Sequence, residues 1–248
     1  MNTSPYVYCT SLDNIQAIVP SIDTTIQEHG YCVIRGVYDR ADLDRSVDLN
    51  RHKLSQSQLI HPSSCSSDVV RCNSVKWSIG STSKTQGGIS RFMMTIMNPM
   101  WCEDIYKMRS HFTSLIIVRD AIARRSPMLD DQLPETLFNG TRIQYYPSGG
   151  GFMSAHTDAT GEKTASLIHG EYIQLVLLLT QKGTHFENGG AYILRDDSFI
   201  DVERYSQTGD ILVYNSSIIH GVSDIDPQIP YDPSTINGRL VALATIYN

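Results

Sequence analysis

The chain lacks a C-x-x-C pair. Its five cysteines, Cys9, Cys32, Cys65, Cys72 and Cys102, are scattered and odd in number. That excludes a zinc site built on paired thiolates and points to free thiols in a reducing compartment. No apolar run approaches the roughly 20 residues that cross a bilayer, so no membrane partner is expected. Met1–Thr10 has no basic stretch followed by an apolar one, so no secretory leader is expected and the location read from the sequence is cytoplasmic. The sequons at Asn139 and Asn215 are then chance matches. Lys and Arg total 20 against 26 Asp and Glu, a net charge of −6. With the two signs mixed along the chain, nucleic acid is not the expected partner. There is no internal repeat and no linker, and 248 residues are read as one domain, 1–248.

What is present divides near residue 136. Over 1–135 the pattern is mainly helical. Ile15, Ile18, Ile22 and Ile26 recur at helical spacing, with Pro20 expected to break the helix and Gly30 to end it. A short strand follows at Tyr31–Gly36, and Asp39 is placed to cap a helix running to Leu54. Residues 61–91 are dense in serine and broken by Gly80, Gly87 and Gly88, so they are expected to form a loop serving as a lid, with a strand near Val69–Val75. A third helix is expected over Cys102–Arg125. Ile105, Met108, Phe112, Leu115, Ile116 and Ile122 form its apolar stripe, and Arg119 and Asp120 lie off it.

From 136 to 248 the period changes to two. Strands are expected at Thr141–Tyr146, Phe152–Asp158, Glu171–Thr180, Ala191–Leu194, Phe199–Glu203, Asp210–Tyr214, Ile218–Val222 and Arg239–Tyr247, separated by glycine-bearing turns. The expected fold is mainly β with flanking helices: a sandwich or barrel buttressed by the N-terminal helices.

Chemistry concentrates in three places on this half. His156 and Asp158 are two apart on an expected strand, so alternation would send both side chains to one side, as two corners of a metal site. A third ligand would complete the two-His, one-carboxylate triad of non-haem Fe(II) sites. His220 is the candidate, in Ile219-His220-Gly221-Val222 after the strand Asp210–Tyr214. Arg239 then opens an otherwise apolar strand. An arginine there is either exposed beside the Asn237-Gly238 turn or buried as a fork gripping a carboxylate.

Together these pieces resemble the Fe(II)- and 2-oxoglutarate-dependent oxygenases. They are Tyr146-Pro147 ten residues before His156, the H-x-D itself, Asn188-Gly189-Gly190, Gly209-Asp210-Ile211-Leu212-Val213-Tyr214, Ile219-His220-Gly221-Val222 and Gly238-Arg239. The last 110 or so residues look like the prolyl-hydroxylase-type catalytic domain, and Gly30–Val37 is similar to the opening of phytanoyl-CoA-hydroxylase-like members. The resemblance implies a double-stranded β-helix (jelly-roll, cupin-like). In it His156, Asp158 and His220 hold iron, and Arg239 binds the distal carboxylate of 2-oxoglutarate. The implied activity is a dioxygenase that uses O2 to hydroxylate an unactivated C–H, releasing succinate and CO2, with ascorbate in a supporting role.

Two departures stand out. Ser223–Ile236 looks inserted between His220 and Arg239, and Leu178 stands where such enzymes place a tyrosine. Tyr146, Gln144 or Thr180 would have to supply the missing cosubstrate contact. For the substrate, Arg71, Asn73, Lys76 and Trp77 could meet an anionic or planar group. Asp224, Asp226, Tyr231 and Asp232 could meet an amine. The expected substrate is a small polar metabolite, an amino-acid derivative or natural-product intermediate. A protein side-chain hydroxylase and a non-oxidative cupin-like binding module are the alternatives.

Overall fold

In a computed structural model, residues 6–56, 71–81, 89–129, 137–158 and 173–247 are described. Cys65, His61, His169, the parts of the expected lid at 61–70 and 82–88, and the Glu171–Tyr172 start of one expected strand fall outside them. No helix among the described residues is long and apolar enough to cross a membrane.

Three helices cover one side. Helix α1 (Ile15–His29) buries Ile15, Val19, Ile22 and Ile26 and ends at Gly30, whose φ of 83° suits glycine. Pro20 does not break it. The residue sits on the exposed face, so the carbonyl that loses its donor is left to water rather than to the core. Helix α2 (Arg40–Gln56) starts as expected, with the Asp39 carboxylate accepting the Asp42 N–H at 2.8 Å. Helix α3 (Arg109–Ile122) starts later than expected. The Asp104 carboxylate accepts the N–H groups of Met108 (2.9 Å) and Arg109 (3.2 Å), and this cap sets the start.

Arg119 and Asp120 are not at the surface. Asp120 is fully buried. It accepts two bonds from Arg119 (2.8 and 2.9 Å), two from Arg125 (2.9 and 2.7 Å) and one from the Met128 N–H (2.7 Å). Arg119 continues to Asn139 and to the Ala244 carbonyl, so this charged knot fastens α3 to the sheet.

The strands form one hydrogen-bonded path that folds over on itself. One run is β1 (Val7–Cys9), β2 (Tyr31–Arg35), β10 (Ile211–Asn215), β7 (Ile173–Leu178), β12 (Gly238–Tyr247) and β5 (Phe138–Pro147). It passes through β4 (Ser90–Met97) to β6 (Gly151–His156), β11 (Ile219–Ile225), β8 (Gly190–Arg195) and β9 (Ser198–Asp201). A further strand, β3 (Ser74–Ser81), pairs along β4.

The described part of the expected lid is therefore mostly strand, and the described residues of the N-terminal half supply β1 to β4 as well as helices. The expected strand near Val69–Val75 lies later, at Ser74–Ser81. Strand β11 runs on to Ile225, so the extra segment before Arg239 is shorter than expected and begins at Asp226.

Two cores result. One lies between the sheet and the helices and takes Leu175, Leu177, Ile143, Tyr145, Phe112 and Leu115. The other lies between the two layers of the fold and takes Val176, Leu178, Tyr146, Met93, Val222 and Val241. Alternate residues of β7 and β5 thus serve opposite cores, which is why Ile173–Leu178 reads as nearly continuous apolar sequence.

The β5–β6 turn is pinned from outside. Gly149 has a φ of 93°, and a Cβ there would stand 2.5 Å from the backbone of Tyr231. Gly149→Ala is expected to lower stability by about 1–3 kcal/mol. An unchanged midpoint in urea unfolding would mean that the 226–237 segment is not seated on the turn.

Candidate metal centre

His156 and His220 face each other as direct cross-strand partners on β6 and β11. Register explains how. Pairing passes from His220↔His156 to Val222↔Met153, two residues on β11 against three on β6. This bulge lets both Met153 and His156 point into the inner core, which strict alternation forbids. Strand β6 ends at His156, so the expected strand to Asp158 does not form. Asp158 is instead brought in by its N–H, which donates to the Ser216 carbonyl at 3.0 Å just before β11.

One ligand atom from each of His156, Asp158 and His220 lies within 4.8 Å of the others. His156 Nε2 is 3.6 Å from Asp158 Oδ1, and His220 Nε2 is 3.7 Å from Asp158 Oδ2. Each Nδ1 meets a backbone carbonyl two residues earlier, Ser154 at 2.8 Å and Ile218 at 2.9 Å. A carbonyl only accepts, so each Nδ1 carries the proton and each Nε2 presents a lone pair to the centre.

The charges suit a cation. Burial pushes His220 below its ordinary value and so keeps it neutral. Burial alone would raise Asp158, but the neighbouring His156, His220 and Arg142 outweigh it and hold the carboxyl below the usual range. Two imidazoles and one carboxylate, open on one side through the 29% exposed Asp158, make a donor set for a divalent metal with free positions.

Deeper in the fold, Arg239 is buried rather than at the surface, and it is not waiting for a partner. Its Nε donates to Glu203 Oε1 at 2.8 Å, and Nη2 donates to the same oxygen. Burial works against its charge, and Glu203 more than restores it. The guanidinium lies 5.1 Å over the ring of Tyr146, its cross-strand partner. The Tyr146 hydroxyl donates to Gln144 Oε1 at 3.1 Å. Arg239, Tyr146 and Gln144 are thus together, with Leu178 in the same inner core. Nη1 of Arg239 makes no hydrogen bond among the described residues, so an anion can still be taken end-on beside Glu203. Thr180 is spent on the sheet: its hydroxyl accepts the Leu240 N–H at 2.8 Å and donates to the Leu240 carbonyl at 3.3 Å.

The expected substrate contacts mostly serve the structure. Arg71 lies over the Phe138 ring at 4.7 Å, and Asn73 bonds Asn98 and the Glu103 carbonyl. Trp77 and Tyr231 meet at 6.1 Å with Tyr145, on the opposite face of β5 from Tyr146. Asp226 is buried and holds Ser148, Glu187 and Asn188. Asp232 bonds Ser234, and Asp224 is exposed. Lys76 alone keeps a place near the site, in register with Thr95 and, through it, Gln144.

Glu203, Arg142 and Arg91 belong to the inner face and were not singled out from sequence. Arg142 was legible, because it stands two residues before Gln144 and four before Tyr146 on one strand.

No family model matches the chain, and no curated relative matches it. Solved structures do match in fold. A prolyl-4-hydroxylase from Pseudomonas putida is 15% identical with a TM-score of 0.53, covering 91% of this chain and 97% of that one. A Trichoplax adhaerens prolyl hydroxylase, solved with a hypoxia-inducible-factor peptide, is 13% identical with a TM-score of 0.54, covering 94% and 90%. The non-haem α-ketoglutarate-dependent epimerase SnoN of nogalamycin biosynthesis is 11% identical with a TM-score of 0.55, covering 94% and 83%. The chain has the jelly-roll fold of the Fe(II)/2-oxoglutarate oxygenases.

Proposed function

We propose that the protein is an Fe(II)- and 2-oxoglutarate-dependent oxygenase that hydroxylates an unactivated C–H of a small polar metabolite. The observation that carries this is the convergence of His156 Nε2, His220 Nε2 and the Asp158 carboxylate, with both imidazole lone pairs aimed inward by backbone bonds. Fe(II) held there with 2-oxoglutarate and O2 supplies the oxidising power, and succinate and CO2 leave.

The chain's own residues do the rest. His156, His220 and Asp158 would hold the metal and leave positions on it for other ligands. Arg239, fixed by Glu203 and Tyr146, offers Nη1 to the distal carboxylate of the cosubstrate. Val176, Leu178, Val222 and Val241 line the inner core and keep water from that end.

Anaerobic addition of Fe(II) and 2-oxoglutarate should give a weak visible charge-transfer band. His220→Ala should abolish it with the fold intact by circular dichroism. Well-folded wild-type protein without a band would overturn the assignment, and a band surviving in His220→Ala would remove His220 from the ligand set.

A further inference from the structure

The inner wall beside the triad carries more positive charge than the site so far described uses. On β5 the outward residues Thr141, Ile143 and Tyr145 are buried, while the inward Arg142 and Gln144 are half-exposed. A solid core would give the reverse, so the inner side of this strand opens onto a hollow. Paired residues of adjacent strands point the same way. Gln144 pairs with Thr95, and Thr95 with Lys76, so Lys76 points to that side too. Arg91 pairs with Met153, which packs into the inner core and lies 3.7 Å from the Tyr146 hydroxyl.

None of these three cations has a carboxylate partner among the described residues. Arg142 is held in place by Nη1, which donates to the Gly140 carbonyl and the Thr245 hydroxyl at 3.0 Å each, and by the Tyr247 ring, 5.5 Å below its guanidinium; its remaining donors make no hydrogen bond among the described residues. Arg91 is in a harsher position: its Nε is buried without a hydrogen-bond partner among the described residues. Burial pulls its affinity for its proton below the ordinary value, and both arginines act electrostatically on Tyr146. An unpaired guanidinium donor in such a place is unfavourable unless something arrives to accept from it.

The charge count says what should arrive. Asp158 and Glu203 bring two negative charges, and Arg239, Arg142 and Arg91 bring three positive ones. A divalent metal and doubly charged 2-oxoglutarate cancel. One positive charge is left before Lys76 is counted, and two with it. We propose that Arg91 and Arg142 bind a carboxylate of the prime substrate on the wall facing the metal, which makes that substrate an organic carboxylate. That the bound acid is the compound oxidised rests on the oxygenase assignment; the anion site itself does not.

Metal-free protein is therefore the sample for the test, titrated by calorimetry with benzoate, benzamide and phenyl phosphate. Benzoate should bind and benzamide should not. Arg91→Met and Arg142→Gln should each weaken benzoate at least tenfold, roughly the loss of one hydrogen bond between charged groups. Ligand-free Arg91→Met should also melt higher than wild type, because an unsatisfied buried donor is gone; an arginine with a structural role would melt lower when replaced. The proposal is overturned if benzoate gives no binding, if benzamide binds as well, or if both variants bind benzoate like wild type. Phenyl phosphate binding more tightly than benzoate would overturn the carboxylate in favour of a phosphoryl group. A missing charge-transfer band with benzoate binding intact removes the oxygenase assignment alone, and a band without benzoate binding removes the anion wall alone.

Discussion

Glu203→Gln is expected to weaken the fold and strengthen the binding of 2-oxoglutarate at once. Glu203 and Arg239 are both 3% exposed in their side chains and hold each other through a shared oxygen. Removing the charge of one partner of a buried pair typically costs about 3–5 kcal/mol, because the other is left uncompensated. Glutamine keeps an acceptor, so the lower end applies, or roughly 6–12 °C in melting temperature for a chain of this size. The same vacancy favours an incoming carboxylate, since Glu203 no longer competes for the guanidinium. Calorimetric melts with and without 2-oxoglutarate and Mn(II) should show a larger ligand-induced rise in the variant than in wild type. A smaller rise would mean that Glu203 orients Arg239 for the cosubstrate rather than competing with it.

Asp120→Asn should be as damaging and should have no such rescue. Asp120 is fully buried and answers two arginines and a backbone N–H, so neutralising it removes a counter-charge from both cations; asparagine keeps an acceptor, so the cost is again at the lower end, about 3 kcal/mol. Its pH signature follows from the sign of its shift. Burial pushes the carboxyl up from 3.8, but the bond and charge of Arg119, the Met128 N–H and the charge of Arg125 bring it below that value. Its stabilisation is then complete above about pH 4 and fades as the pH falls through the lower, folded-state value. Urea unfolding should show the gap between wild type and Asp120→Asn narrowing only below that point. A gap that narrows between pH 7 and 5 would locate the effect elsewhere.

The β-rich half was largely legible because its strands keep the period of two and its turns carry glycine. His156, Asp158 and His220 were legible as an ordered set. What placed them was not. The bulge in β6 has no residue signature, and Asp158 reaches the centre through the Ser216 carbonyl rather than along a strand. Strand β4 was hidden because Phe92, Met93, Met94, Ile96 and Met97 give an apolar run interrupted only by Thr95, serving both cores, next to serine-rich sequence. Arg119 and Asp120 read only as residues off the apolar stripe of their helix, because charge alone does not reveal burial. Glu203 was invisible for a related reason: its significance lies in Arg239, 36 residues away in sequence and met only in three dimensions.

The two histidine rings are oriented by the peptide backbone, each Nδ1–H tied to the carbonyl two residues before it. In many metal sites a neighbouring carboxylate does this, and changing that neighbour retunes the metal. Here no side chain outside the triad bonds either Nδ1 among the described residues. The ligand set should therefore be robust to mutation in the surrounding wall. Arg91, Arg142 and Lys76 are then free to diverge toward new substrates while the triad that would hold the metal stays as it is.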